Sequence, residues 1–335
     1  MNSKTKNLIS NEEIKKIVKA NFGDSTVINN IKELNEGMFN SAYLIELNDL
    51  PGEIILKVGP APNAELLTYE KDIMKTEIEV YKMIQSKTCI PVPQILKYDF
   101  SRKLISSDYF FMTKLNGCTW KEVSKKISKE NKERLKEEIG KYTAELHSIK
   151  GEYFGYFTDN VDEQYKTWSE AFLAMIKNIM TDGVKHGIKL PYDKIFSVIE
   201  DKLEVLDEIK EPSLVDFDLW AGNVFLIKNG NSYTVEGIVD FERAYWGDPY
   251  ADFTSSMMIY SDVLKEVSFQ KGYSKKNNKY IHFSKEDKCR MFLYRIYMSL
   301  ILAIESYRYG KIYAYIIKKY SKSSIKRYMK EIVKL

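Results

Sequence analysis

Short apolar runs dominate roughly the first hundred positions and give way, past Gly117, to repeats of longer period. SAYLIEL (41–47) and EIILKV (53–58) have the length and composition of strands, and the intervening NDLPG has the chemistry of a hairpin turn. A helix is expected over about residues 65–86, where Ile73, Glu77, Val80 and Ile84 recur at helical spacing. PVPQILKYDF leads into another strand, and DYFFMTKL (108–115) is a further one. This part of the chain reads as a mostly antiparallel sheet with one helix inserted.

Beyond Gly117, Thr119 and Glu122 have the spacing of a capping box at a helix start. Leu135, Ile139, Tyr142, Leu146 and Ile149 then repeat with a helical period, and further helical stretches fill 165–187, 193–210 and 285–332. Among them lies one strand-and-loop island, 213–250. The fold expected is α+β and bilobal. An antiparallel-sheet N-lobe would span residues 1–115, a mostly helical C-lobe 116–335, with a ligand cleft where they meet.

With 335 residues, 44% of them hydrophobic, the chain can bury an ample core. Cys89, Cys118 and Cys289 are far apart and without CxxC pairing, which argues against a disulfide framework or a zinc site and fits a reducing compartment. MNSKTKNLIS has no apolar secretory segment, and the greasiest stretch, 291–304, is interrupted by Arg295 and too short to span a bilayer. A cytoplasmic protein without a membrane or nucleic-acid partner is expected. The net charge of +4 is uneven, because residues 306–335 carry nine Lys/Arg against Glu331 alone. Ile312, Tyr315, Ile316, Lys319 and Tyr320 recur there as on an amphipathic helix, so the basic residues read as a solvated helix face.

Within the island, VFLI and EGIVDF flank KNGN, a strong hairpin signal. Such a hairpin brings its outer ends together, and with them Asp218, Asn223 and Asp240. Phosphoryl transfer needs hard oxygen ligands for Mg2+ and a carboxylate to orient the attacking hydroxyl and accept its proton. Asp218-x4-Asn223 has the spacing of a kinase catalytic loop, and Asp240 falls where a metal-binding Asp follows the hairpin. Asp218 is thus the catalytic candidate, and Asn223 and Asp240 are the metal ligands.

The island resembles the aminoglycoside phosphotransferase and choline kinase-like superfamily, whose motif is His-Gly-Asp-x4-Asn followed by (Ile/Val)-Asp-(Phe/Trp)-Glu. FFMTKLNG is similar to that family's lobe-connecting hinge, GKYTAELHSI to its long helix ending in Leu-His, and TWSEAFLAMI to a segment of many bacterial members. Asp216 and Phe217 stand where the family has His and Gly. The resemblance implies a protein-kinase-like fold, a nucleotide (ATP or GTP) with Mg2+, and a small hydroxylated acceptor. A catalytically silent nucleotide-binding protein of the same fold is the alternative.

The same resemblance implies a strand lysine that holds phosphates and a helix glutamate that fixes it. Lys57 is the only lysine of its strand, though an edge strand would also carry one for solubility. Glu77 lies within the apolar stripe of the following helix, where a carboxylate demands a partner, whereas Glu79 falls off it. The phosphate-covering turn is expected at NEGMFNSAY, with Gly37 and the backbone of Asn40 and Ser41; an ordinary hairpin turn fits that segment equally well. Thr113 and Leu115 would offer hinge backbone groups to the base.

Overall fold

The structure, a computed structural model, describes residues 5–34, 39–48, 52–255, 263–277 and 282–335. The chain divides into two compact units. The first comprises Met1–Leu66, Pro93–Leu115 and Arg308–Tyr313; the second comprises Leu67–Val92, Asn116–Tyr307 and Ala314–Leu335.

In the first unit, β1 (Ile28–Leu34), β2 (Ser41–Leu47), β3 (Glu53–Val58), β4 (Ile95–Asp99) and β5 (Tyr109–Thr113) form one antiparallel sheet in the order β1-β2-β3-β5-β4. The expected hairpin is present, with β2 and β3 paired from Ser41 opposite Val58 to Glu46 opposite Glu53. Strict alternation buries Tyr43, Ile45 and Leu47 on one face of β2. β3 lies at the centre of the sheet, and its apolar run is buried at Ile54, Ile55, Leu56 and Val58.

One helix here escaped the sequence pattern. Asn11–Phe22 is capped by Ser10, whose Oγ accepts from the Glu13 N–H while Glu13 Oε2 accepts from the Ser10 N–H (3.2 and 2.8 Å). Its Ile14, Ile17 and Val18 pack against Tyr43, Ile45, Leu56, Val58, Tyr109 and Phe111.

The second unit is mostly helical, with major helices at Ile73–Lys87, Lys129–His147, Trp168–Lys185, Tyr192–Glu200, Val267–Asn277 and Lys285–Glu305, and with all but the first turn of Lys311–Val333. The first starts later than its periodicity suggested, because Asp72 sits at φ 53° and cannot continue a helix. The Thr119–Glu122 capping box forms, but it caps a single turn, Trp120–Val123; the long helix begins after a second cap at Ser128. The helical stretch expected over 285–332 forms two helices, separated around a short 3-10 turn at Ser306–Arg308. The core joins Trp168, Phe172 and Ile176 to Leu293, Tyr294, Tyr297 and Leu300.

Short strands complete this unit: β6 (Cys118–Thr119), β7 (Gly155–Tyr156), β8 (Ser213–Val215), β9 (Val224–Asn229), β10 (Ser232–Ile238) and β11 (Tyr245–Gly247). They form two sheets, β10-β9-β6 and β7-β11-β8. β9 and β10 are the hairpin expected at KNGN, tightened by Gly230 at φ 60°. In the last helix the apolar stripe noted from the sequence does not pack. Ile312, Tyr315, Ile316 and Tyr320 are exposed, while Ala314, Ser321, Ile325, Tyr328, Met329 and Ile332 form the buried face.

Candidate active site

The loop after β8 is held by its backbone. The N–H groups of Asp216 and Phe217 both donate to the Asp252 carboxylate, at 3.1 and 2.6 Å. Asp252 is itself 2.9 Å from His147 Nε2, and the other ring nitrogen of His147 meets the Tyr273 hydroxyl at 2.9 Å. All three side chains are buried. His147 thus serves packing and orientation, and Asp252 braces the loop from the start of the Asp252–Ser255 helical turn.

Phe217 adopts φ 60°, the left-handed region that glycine favours. The backbone conformation is therefore reached without glycine, and the ring is buried against Tyr245 and Tyr297 (centroids 5.3 and 5.7 Å).

Three functional candidates meet at the open end of the β9–β10 hairpin. Asn223 Nδ2 donates to the Asp218 carbonyl (3.0 Å), which fixes the direction of the amide and leaves Oδ1 as its other end. The Val239 N–H donates to the Asn223 carbonyl (2.9 Å), so the chain entering β9 is tied to the chain leaving β10. One residue on, Asp240 lies at φ 75°, and its N–H donates to the Tyr81 hydroxyl (3.1 Å). The helix Ile73–Lys87 is thereby fastened to the island, and the Ile238 N–H to Pro91 O bond (2.9 Å) secures the segment that follows it.

That helix delivers Glu77, which is fully buried, whereas Glu79 is only partly so. One carboxylate oxygen each from Glu77, Asp240 and Glu242 lies within 4.8 Å of the others. Such a set of hard oxygen donors fits Mg2+, and the Asn223 amide oxygen is a donor of the same type. Glu242 thus belongs to the same group of carboxylates as Asp240.

Arg243 turns elsewhere. Its Nη2 donates to Glu305 Oε1 (2.8 Å), and its Nε lies 3.5 Å from Asp218 Oδ2. Glu305 also accepts from the Tyr69 hydroxyl. Burial opposes the arginine's charge, but Glu305, Tyr69 and Asp218 raise its pKa well above the ordinary range. No local spacing relates Arg243 to Glu305, which lies 62 positions away at the end of the helix Lys285–Glu305.

The remaining candidates belong to the first unit. Lys57 is half-buried on the central strand β3, opposite Phe110, so it is no edge-strand lysine. Asn40 and Ser41 are buried at the start of β2. Gly37 lies outside the described residues. The Thr113 N–H is engaged by the Gln94 carbonyl (2.9 Å) and its hydroxyl accepts from the Gln94 N–H (2.9 Å), whereas Leu115 lies past the end of β5.

The sequence profile of the phosphotransferase enzyme family matches residues 30–273. The chain belongs to that family. It is 26% identical over 287 residues to 4-hydroxytryptamine kinase of Psilocybe cyanescens, covering 74% of this chain and 73% of that one. It is also 26% identical over 164 residues to chloroplastic protein-ribulosamine 3-kinase of Arabidopsis thaliana, covering 43% of this chain and 48% of that one.

Among solved structures, aminoglycoside phosphotransferase APH(4)-Ia in ternary complex with AMP-PNP and hygromycin B superposes with a TM-score of 0.63 at 13% identity, covering 95% of this chain and 98% of that one. ADP-bound APH(2'')-Ib gives 0.60 at 19%, covering 97% and 99%. The fold of this phosphotransferase is therefore the protein-kinase-like fold of the aminoglycoside phosphotransferases.

Asp216 sits beside Phe217 in the loop after β8. It is buried, Asp252, Asp218 and Asp240 surround it, and its Oδ1 has no hydrogen-bond partner among the described residues. Burial first, and then those three carboxylates, push its pKa well above the usual aspartate value.

Proposed function

We propose that this phosphotransferase moves the γ-phosphate of ATP or GTP onto a hydroxyl of a small soluble acceptor. The observation that carries the reading is the tethered set Asp218–Asn223–Asp240, in which one hydrogen bond orients Asn223 on Asp218 and another ties Asn223 to the strand that ends before Asp240. Asp218 orients the acceptor hydroxyl and takes its proton as the new oxygen–phosphorus bond forms. The bond to the β-phosphate oxygen breaks, and the nucleoside diphosphate leaves with that electron pair. Arg243, 3.5 Å away, orients the Asp218 carboxylate.

Asn223 and Asp240 would hold Mg2+, with Glu242 and Glu77 close by; the ion would supply charge neutralisation for the phosphates. In the first unit, Lys57 is assigned to the nucleotide phosphates together with the backbone of Gly37, Asn40 and Ser41. Leu115 is assigned to the base, in preference to Thr113, whose N–H the sheet already uses. The family relatives named above are kinases of a hydroxylated aromatic amine and of a protein-bound ribulosamine, which supports a hydroxyl acceptor without selecting one.

The test is coupled nucleotide turnover with Mg2+ across amino alcohols, sugars, hydroxylated aromatic amines and aminoglycosides, with Asp218→Ala as control. Turnover with one acceptor that falls by roughly 10²–10⁴ in the variant is expected. A variant that keeps full turnover would remove Asp218 from its role. Nucleotide binding without turnover on any acceptor would point to a silent member of the fold.

A further inference from the structure

The last helix, Lys311–Val333, presents two faces of different origin. Its buried face is conventional. Its outward face begins with Ile312, Tyr315, Ile316 and Tyr320, which are 81%, 66%, 55% and 58% exposed. Their spacing of 0, 3, 4 and 8 positions gathers them in one stripe that includes Lys319. Continued along the axis, the same face carries Lys326, Arg327 and Lys330, all exposed, reaching about 27 Å from Ile312 at the helical rise. The only acid of the helix, Glu331, is paired with Lys334 at 2.6 Å.

An apolar and aromatic half followed by a cationic half narrows the choice of partner. A second copy of the chain would bring charge of the same sign to the contact. A nucleic acid would satisfy the lysines and stack on the tyrosines, but it has nothing to offer Ile312 and Ile316. An anionic lipid surface serves both halves. Its acyl boundary takes the isoleucines, its headgroup layer suits tyrosines, and its phosphates attract the lysines, whose long stems let the ammonium groups reach them.

We propose that this face of the last helix is a peripheral docking surface for membranes containing anionic lipids. The sequence alone led us to expect no membrane partner. Among the described residues no helix is long and apolar enough to cross a membrane, and the contact inferred is one of lying on the surface. This inference does not depend on the phosphotransfer reading.

Co-sedimentation of the full chain with vesicles tests it directly. The chain should bind vesicles containing phosphatidylglycerol, release from them as salt is raised, and ignore vesicles of phosphatidylcholine alone. Ile316→Ser with Tyr320→Ser should weaken binding by about tenfold or more. Lys326→Gln with Lys330→Gln should weaken it by about thirtyfold. Both pairs lie on exposed positions, and unchanged unfolding midpoints would separate lost binding from lost fold. Absence of binding to anionic vesicles, equal binding to both vesicle types, or variants that bind like the parent would each overturn the proposal. So would a concentration-dependent dimer, or DNA binding in place of vesicle binding, abolished by the same substitutions.

Discussion

Phe217 shows how this chain reaches a strained backbone conformation without the residue best suited to it. A left-handed conformation costs a residue with a Cβ about 1–2 kcal/mol. Two local terms offset that cost: the N–H bond to Asp252 at 2.6 Å, and a ring with about 1% of its surface exposed. Beside it, Asp216 carries a different burden. Its folded-state pKa is raised, chiefly by burial, so the folded chain keeps a proton that the unfolded chain releases above the ordinary value of about 3.9. Its contribution to stability therefore falls as pH climbs from that value toward the folded one. Asp216→Asn removes this slope, and the variant should gain on the parent in melting temperature as pH rises through that window. Parallel melting curves would show that Asp216 titrates normally.

Arg243 belongs to the same scale. Arg243→Ala breaks the buried ion pair with Glu305, and a loss of about 3–5 kcal/mol is expected by urea denaturation. Glu305→Gln keeps the volume and should cost less. In either case the approach of Arg243 to Asp218 makes turnover sensitive as well, so kcat should fall in Arg243→Lys even where stability recovers.

Between elements, the crossing of Lys129–His147 with Val267–Asn277 is set by two glycines. A Cβ on Gly140 would lie 2.1 Å from the Phe269 carbonyl oxygen, and one on Gly272 would lie 1.8 Å from the Glu137 carbonyl oxygen. Each contact is to backbone, so neither can be relieved by turning a side chain. This close approach places Tyr273 against His147, and through it the Asp252 brace. Gly272→Ala should therefore push the helices apart, destabilise the fold by about 1–3 kcal/mol, and reduce activity at temperatures where the chain is still folded. Denaturant midpoints read beside turnover check both parts. A variant as active and stable as the parent would mean the crossing has slack.

Over the whole molecule, the sequence was most readable where information is local. The KNGN hairpin, the alternation in β2 and the inward position of Glu77 each follow from a handful of neighbouring residues. The helix Asn11–Phe22 was equally local, since Ser10-x-x-Glu13 precedes Ile14, Ile17 and Val18, but its apolar stripe is short and polar residues surround it. Long-range pairings stayed hidden: Tyr81 with Asp240, Arg243 with Glu305, and Glu242 with Glu77 connect elements that no spacing rule relates. The exposed stripe of the last helix had the periodicity of a packing face, and periodicity alone does not say which face is covered. Ligand binding should be visible at this scale too. Mg2+ and nucleotide at a hundredfold excess over Kd should stabilise the chain by about 2.7 kcal/mol, read as a raised Tm, and EDTA should cancel most of it. A melting temperature indifferent to both would argue against the nucleotide site.

The two compact units are interlaced along the chain: the first takes Met1–Leu66, Pro93–Leu115 and Arg308–Tyr313, and the second takes the segments between and after them. No single cut therefore yields a complete half. A nascent chain emerging from the ribosome holds most of the first unit early, yet it cannot finish that unit until Arg308–Tyr313 is made, and the second waits for the residues after it. Partly finished chains must protect apolar surface for most of their synthesis, so expression should respond to translation speed and chaperone supply.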